Sequence, residues 1–215
     1  NDDWNNLITN IKPSFSSPNK IEYDNPDVMI FEGGDEYRDF DIKSLRYYGK
    51  NIQLIEQKDI QGSNLYFIDL YEDLIENSEN YDFKYDLNGK FTVSVSEMKD
   101  KNNEGDYALV KFKLKTNKFI DKDIYVYGEL TNWDTIPFAK MKFNTKHNEY
   151  YGFLLLKQGY YNYEYVTTRN NQIISIENNF KETRNQYSAY IYYKPLWGNY
   201  DQLIGWVKNN SNSLN

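Results

Sequence analysis

Polar and apolar residues alternate in short runs along most of this chain, and sustained helical periodicity is scarce. From Tyr107 to Lys115, Val110, Phe112 and Leu114 face one way while Lys111, Lys113 and Lys115 face the other, which predicts a strand with one dry and one wet side. The run from Tyr37 to Ile42 alternates likewise, with Arg38, Phe40 and Ile42 against Tyr37, Asp39 and Asp41. Further strands are expected at 27–31, at 51–57 with Ile52, Leu54 and Glu56 on one face, and at 63–71. The stretch 71–78 fits one turn of helix. Asp86-Leu87-Asn88-Gly89 reads as the turn of a hairpin joining 81–85 to 91–95, because Asn-Gly adopts positive φ readily.

Beyond residue 107, strands are expected at 123–129, 138–143, 150–157, 160–168 and 188–193, with Asn, Gly, Asp and Pro turns between them. Gln158-Gly159 leaves room only for a hairpin, and Tyr161, Tyr163 and Tyr165 share a face of the returning strand. No dozen-residue stretch offers a crossover helix, so the sheets are expected to be antiparallel. The apolar run from Trp4 to Ile11, broken by Pro13 to Pro18, is a lead-in strand or linker. The polar stretch 97–106 marks a boundary between a first β-sandwich domain at 1–100 and a second at 101–215 with a C-terminal tail.

Composition sharpens this picture. The 22 Tyr and 12 Phe suit sheets and recognition surfaces, since a tyrosine buries a ring while its hydroxyl still needs a partner. A formal charge of -7 without a basic stripe argues against nucleic acid. Cysteine is absent, so no disulfide contributes. No segment approaches ~18 continuous apolar residues, so the chain is not expected to span a membrane. Asn1 follows no initiator Met, and the chain reads as a processed or excised piece.

Candidate chemistry is sparse. His147 is the single histidine and lies in the polar turn 144–149, where it reads as an ordinary turn residue. The Asp39/Asp41 and Asp121/Asp123 pairs have the spacing for general acid and base work, but acidic strand ends carry such pairs too. No nucleophile elbow, phosphate-cradling loop or calcium-loop motif occurs. We therefore expect no catalytic residues, no cofactor and no metal.

The chain bears two resemblances to known families. The run from Val126 to Trp133, then Tyr150-Tyr151-Gly152-Phe153 and the run from Gly159 to Val166, resembles the early-set immunoglobulin-like modules that bind glycogen and starch. It implies an immunoglobulin-like fold for residues of about 107 to 193, with Gly128, Asn132 and Trp133 forming a structural turn. The aromatic platform of those modules stands near the hairpin that here reads Thr167 to Gln172 and holds no aromatic residue. Trp197 and Trp206 would have to replace it, which makes an α-glucan-binding accessory module the alternative expectation.

The broader resemblance is to the type IX secretion system plug proteins of Bacteroidota. It rests on Trp4 through Phe15, on the run from Phe31 to Arg46, on Val126 to Trp133, on Leu155 to Tyr163 and on the run from Tyr192 to Gly205. It implies a non-enzymatic periplasmic protein, peripheral to the outer membrane, that docks on the outer-membrane β-barrel translocon and seals it. It also implies that the chain corresponds to the later two domains of such a protein. The family's acidic run before its last strand is replaced here by Glu182-Thr183-Arg184-Asn185.

The combined expectation is an all-β fold of two consecutive immunoglobulin-like antiparallel β-sandwich domains. Trp197, Tyr200 and Trp206, gathered in a Pro/Gly-punctuated terminal segment, are the expected partner-binding anchors, with Arg184 as an electrostatic contact.

Overall fold

The computed structural model describes residues 14–17, 20–22, 33–60, 62–75, 81, 83–97, 104–116, 120–170, 172–180 and 182–211. The strand expected at 27–31 and the apolar run from Trp4 to Ile11 lie outside them. The chain is all-β, built from antiparallel sheets in which β-strands of the middle region also make parallel contacts.

A small hairpin of β1 (Phe15–Ser17) and β2 (Lys20–Glu22) comes first. One large sheet then runs in the order β10 (Lys142–Asn144), β11 (Glu149–Lys157), β8 (Tyr107–Lys115), β5 (Ser63–Leu70), β4 (Ile52–Ile60), with β6 (Asp73–Leu74) beside β8. The second sheet is organised on β12 (Gly159–Arg169). The first half of β12 pairs with β3 (Arg38–Asp41) and β7 (Phe91–Val93), and its second half with β9 (Ile124–Tyr127) and β13 (Gln172–Ser175). A two-stranded hairpin of β14 (Gln186–Tyr193) and β15 (Gln202–Asn210) completes the described chain.

Alternation of side chains places the core between the two large sheets. Val110, Phe112 and Leu114 of β8 are fully buried, while Lys111 on the opposite face forms a long contact of 3.9 Å with Asp69. On β12, Tyr161, Tyr163 and Tyr165 enter the core together. Phe40 stacks on Tyr161 at 5.2 Å and meets Phe112 and Tyr163 edge-on, so rings from three strands interlock.

The strands of the two halves share these sheets. β5 pairs with β8, β3 and β7 pair with β12, and Phe40, Ile68, Val110, Phe112 and Tyr163 belong to one hydrophobic cluster. The division expected at residue 100 thus separates no sheets and no cores among the described residues. A polar stretch occurs in the connections within one sandwich as well as in those between two, so polarity alone marks no boundary.

Three local expectations are also corrected. β5 and β6 both run parallel to β8, and among the described residues between β6 and β8 the chain carries β7, a strand of the opposite sheet, in place of a crossover helix. A register shift between Ile52 and Leu54 sends Ile52 inward and leaves Leu54 exposed, because an extra residue in a bulge inverts the facing of the residues beyond it. The turn of helix expected within 71–78 is replaced at Asp73–Leu74 by β6, since the Asp73 carboxylate is engaged by groups across the sandwich.

Those groups form the main polar element of the interior. Asp73 accepts hydrogen bonds from the hydroxyls of Tyr163 and Tyr165, each at 2.7 Å, and from Nη1 of Arg38 at 3.0 Å. Arg38 also donates from Nε and Nη2 to the two oxygens of Glu177, at 3.0 and 2.9 Å. Burial pushes both tyrosine hydroxyls well above their ordinary pKa, and the adjacent Asp73 charge adds to this. Arg38 is held in its charged form by Glu177 and Asp73 against the cost of burial.

Candidate protein-docking site

The turn after β9 is shaped by backbone geometry. Gly128 has φ 148, and a Cβ there would lie 3.0 Å from the carbonyl oxygen of Gly89 and 3.2 Å from that of Asn162. Asn132 and Trp133 both adopt positive φ, at 56° and 57°, and Trp133 donates its backbone N–H to the Gly128 carbonyl. The Trp133 indole then packs edge-on against Tyr37 and Tyr127, at 6.3 and 5.7 Å. Its ring is spent on joining β9 to the chain before β3.

Asp39 and Asp41 are engaged by different cations, and Asp121 and Asp123 border one hollow. Asp39 is buried and accepts from Lys50 Nζ at 2.6 Å and from the Tyr160 hydroxyl at 2.9 Å, whereas Asp41 pairs with Lys43 at 2.9 Å. Asp123 pairs with Lys140 at 2.6 Å at the rim of a shallow hollow lined by Asp121, Lys122, Met141, Phe143 and Tyr150. His147 is exposed in the β10–β11 turn, and no group of three metal-ligating side chains occurs among the described residues.

The hairpin contrasts with all of this. Every residue of β14 is exposed, and so are all of β15 except Gly205. At its tip, Gly198 donates to the Pro195 carbonyl and closes a turn that leaves Leu196 91% and Trp197 100% exposed. Tyr200 stands at 63% and Trp206 at 62%. The three aromatic anchors expected from the sequence therefore lie on one projecting element.

Arg184 stands at the root of that element. Its guanidinium lies over the Phe83 ring at 4.0 Å and near the Tyr85 ring at 5.9 Å, and it acts electrostatically on Glu36, whose pKa is raised chiefly by burial. The root is fixed further by Thr183 Oγ1 and Asn185 Nδ2, which donate to the carbonyls of Gly34 and Gly33 at 2.9 and 2.8 Å. Arg184 thus clasps the chain's own aromatic residues, and the exposed rings begin beyond it.

Sequence reasoning missed β15, reading its residues as a terminal segment, and did not place Tyr190, Tyr192, Leu203 and Ile204 among the partner-binding anchors. The signal was present in Leu203-Ile204-Gly205-Trp206-Val207, a short apolar run that pairs back on Tyr190 to Tyr192.

A relative of known structure shares this fold. The chain is similar to a crystallised hypothetical protein from Parabacteroides merdae, with 31% identity and a TM-score of 0.81. The match covers 93% of this chain and 50% of the other, so this chain spans about half the length of that relative. No protein-family model matches the chain, and no curated protein matches it.

Proposed function

We propose that this chain is a non-enzymatic plug subunit that binds the outer-membrane β-barrel translocon of the type IX secretion system from the periplasmic side and seals it. The observation that carries this reading is the β14–β15 hairpin, which projects large apolar side chains from a closely packed sandwich. A body that blocks a pore needs stiffness and a firm contact rather than reactive groups. The interlocked rings of the core supply stiffness, and Trp197, Tyr200 and Trp206 supply side chains of the kind that dominate protein interfaces. The motif order that resembles the plug family supports the same reading.

The test is affinity purification of the full-length native protein from envelope extract, with identification of the membrane protein that accompanies it. Recovery of the translocon barrel in a defined ratio is expected. Recovery of the native protein without any barrel, or retention of the chain on an α-glucan resin with loss on Trp206→Ala, would replace the plug reading by another.

A further inference from the structure

The loop from β3 into β4 departs from the charge of the chain around it. From Ile42 to Ile55 the sequence carries Lys43, Arg46 and Lys50 and no acidic residue, in a chain of formal charge -7. Two of these cations are satisfied within the chain: Lys43 pairs with Asp41 at 2.9 Å and Lys50 with Asp39 at 2.6 Å. Arg46 is exposed and has no ion pair among the described residues. Beside it Tyr47 and Tyr48 stand 72% and 61% exposed.

The loop is held firmly beneath these three side chains. Leu45 is buried in the hydrophobic cluster, and the Ser44 hydroxyl oxygen accepts the backbone N–H groups of Arg46 and Tyr47 at 3.1 and 3.0 Å. Asp41 Oδ1 accepts the N–H of Lys43 at 2.9 Å, and the Asp41 N–H donates to the Lys50 carbonyl at 3.0 Å, which closes the loop at its base. Gly49 packs so closely there that a Cβ would lie 2.2 Å from the Asp41 carbonyl oxygen. A loop ordered in advance gives up little entropy when a partner covers it.

The chemistry of the tip selects its occupant. Tyrosine and arginine are the residues enriched at the energetic centres of protein interfaces, and the planar guanidinium matches a carboxylate through two parallel hydrogen bonds. With its lysines paired, the loop offers one free cation, whereas attraction to an anionic membrane takes clusters of roughly four to eight. The area is also decisive. At about 150–250 Å² for a whole aromatic side chain, the two rings present on the order of 300 Å², well below the ~800 Å² that one partner contributes to a standard interface. The loop is too small to hold a protein alone and fits a second contact with one already held elsewhere. Gly34, which receives the root of the β14–β15 hairpin, precedes Leu45 closely enough in the chain that the two lie no more than about 40 Å apart, within reach of a single large partner.

We infer that Arg46, Tyr47 and Tyr48 form a second docking contact on the translocon, in which Arg46 binds a carboxylate of the barrel's periplasmic side and the two rings pack around that pair. This rests on the plug reading for the identity of the partner and extends the interface beyond the hairpin.

The experiment measures binding of the full-length protein to the detergent-solubilised translocon, purified through its own barrel subunit, across a series of NaCl concentrations. Wild type is compared with Arg46→Glu, Arg46→Lys and the double variant Tyr47→Ser, Tyr48→Ser, and melting of each is recorded. Arg46→Glu is expected to weaken binding by at least about thirtyfold and to flatten its salt dependence, and the other two by about tenfold each, with melting unchanged because the side chains are exposed. Variants that bind as tightly as the wild type, with the same salt dependence, overturn the second contact and leave the plug reading standing. Failure of the wild type to bind the translocon overturns the plug reading and this contact with it. Arg46-dependent binding to phosphatidylglycerol vesicles, with translocon affinity untouched by Arg46→Glu, overturns the contact and makes a membrane surface the occupant.

Discussion

Both the central sandwich and the β14–β15 hairpin are built from tyrosine-rich antiparallel strands, yet they use that residue in opposite ways. On β12, Tyr161, Tyr163 and Tyr165 bury their rings, and each hydroxyl finds an acceptor: the Lys157 carbonyl for the first and Asp73 for the other two. On β14, Tyr190, Tyr192 and Tyr193 leave about two-fifths or more of their surface in solvent. The difference lies in what stands opposite. A second sheet covers β12, whereas among the described residues β14 has only β15 beside it. Burial with a satisfied hydroxyl makes a scaffold, and exposure of the same residue type makes a contact surface.

The contrast is sharpest for substitutions that hollow the scaffold. Phe112→Ala, which removes a fully buried ring touching Phe40 and Tyr163, is expected to cost about 4 kcal/mol, read from urea unfolding. Asp73→Ala deprives Arg38, Tyr163 and Tyr165 of their shared acceptor and is expected to cost about 3 kcal/mol by the same measurement. A loss under about 1 kcal/mol in either case would mean that the two sheets are not held as the interlocked rings and the shared carboxylate require.

Alkali probes the core tyrosines. Tyr163 and Tyr165 hold their protons more tightly in the folded state than in the unfolded chain, where the pKa is about 10. Their contribution to stability is therefore complete below pH ~10 and falls as pH rises beyond it, towards the raised folded values. Phenolate absorbance from Tyr163 and Tyr165 is expected only as the sandwich unfolds, and its loss from the Tyr163→Phe, Tyr165→Phe variant checks the assignment. Ionisation of these two hydroxyls before unfolding would contradict their burial against Asp73. The smallest effect concerns the hairpin: Trp197→Ser and Trp206→Ser are each expected to change unfolding free energy by less than about 0.5 kcal/mol, because neither ring packs against the core.

Legibility in the sequence divides along the same line. β8 was readable because Val110, Phe112 and Leu114 alternate with lysines, and the all-β character came from repeated runs of this kind. The pairing of β5 with β8 and of β3 with β12 was hidden, since period-two alternation specifies a face but names no neighbour. β6 was hidden for another reason: what holds Asp73 is an arginine 35 residues away and two tyrosines 90 and 92 residues away. At the hairpin, Trp197, Tyr200 and Trp206 were visible as large rings among Pro and Gly. β15 was obscured because both of its faces are apolar, so its strand period is blurred. Arg184 reads from sequence as a charge change, and only the fold reveals its stacking on Phe83.

The most direct measurement is the affinity of the full-length protein for the purified translocon, compared between wild type and the combined variant Trp197→Ser, Tyr200→Ser, Trp206→Ser, with melting of both recorded in parallel. A drop of about thirtyfold or more, with an unchanged melting temperature, is the expected result for rings that anchor an interface without supporting the core. Equal affinity of the two proteins would contradict the assignment of docking to the hairpin.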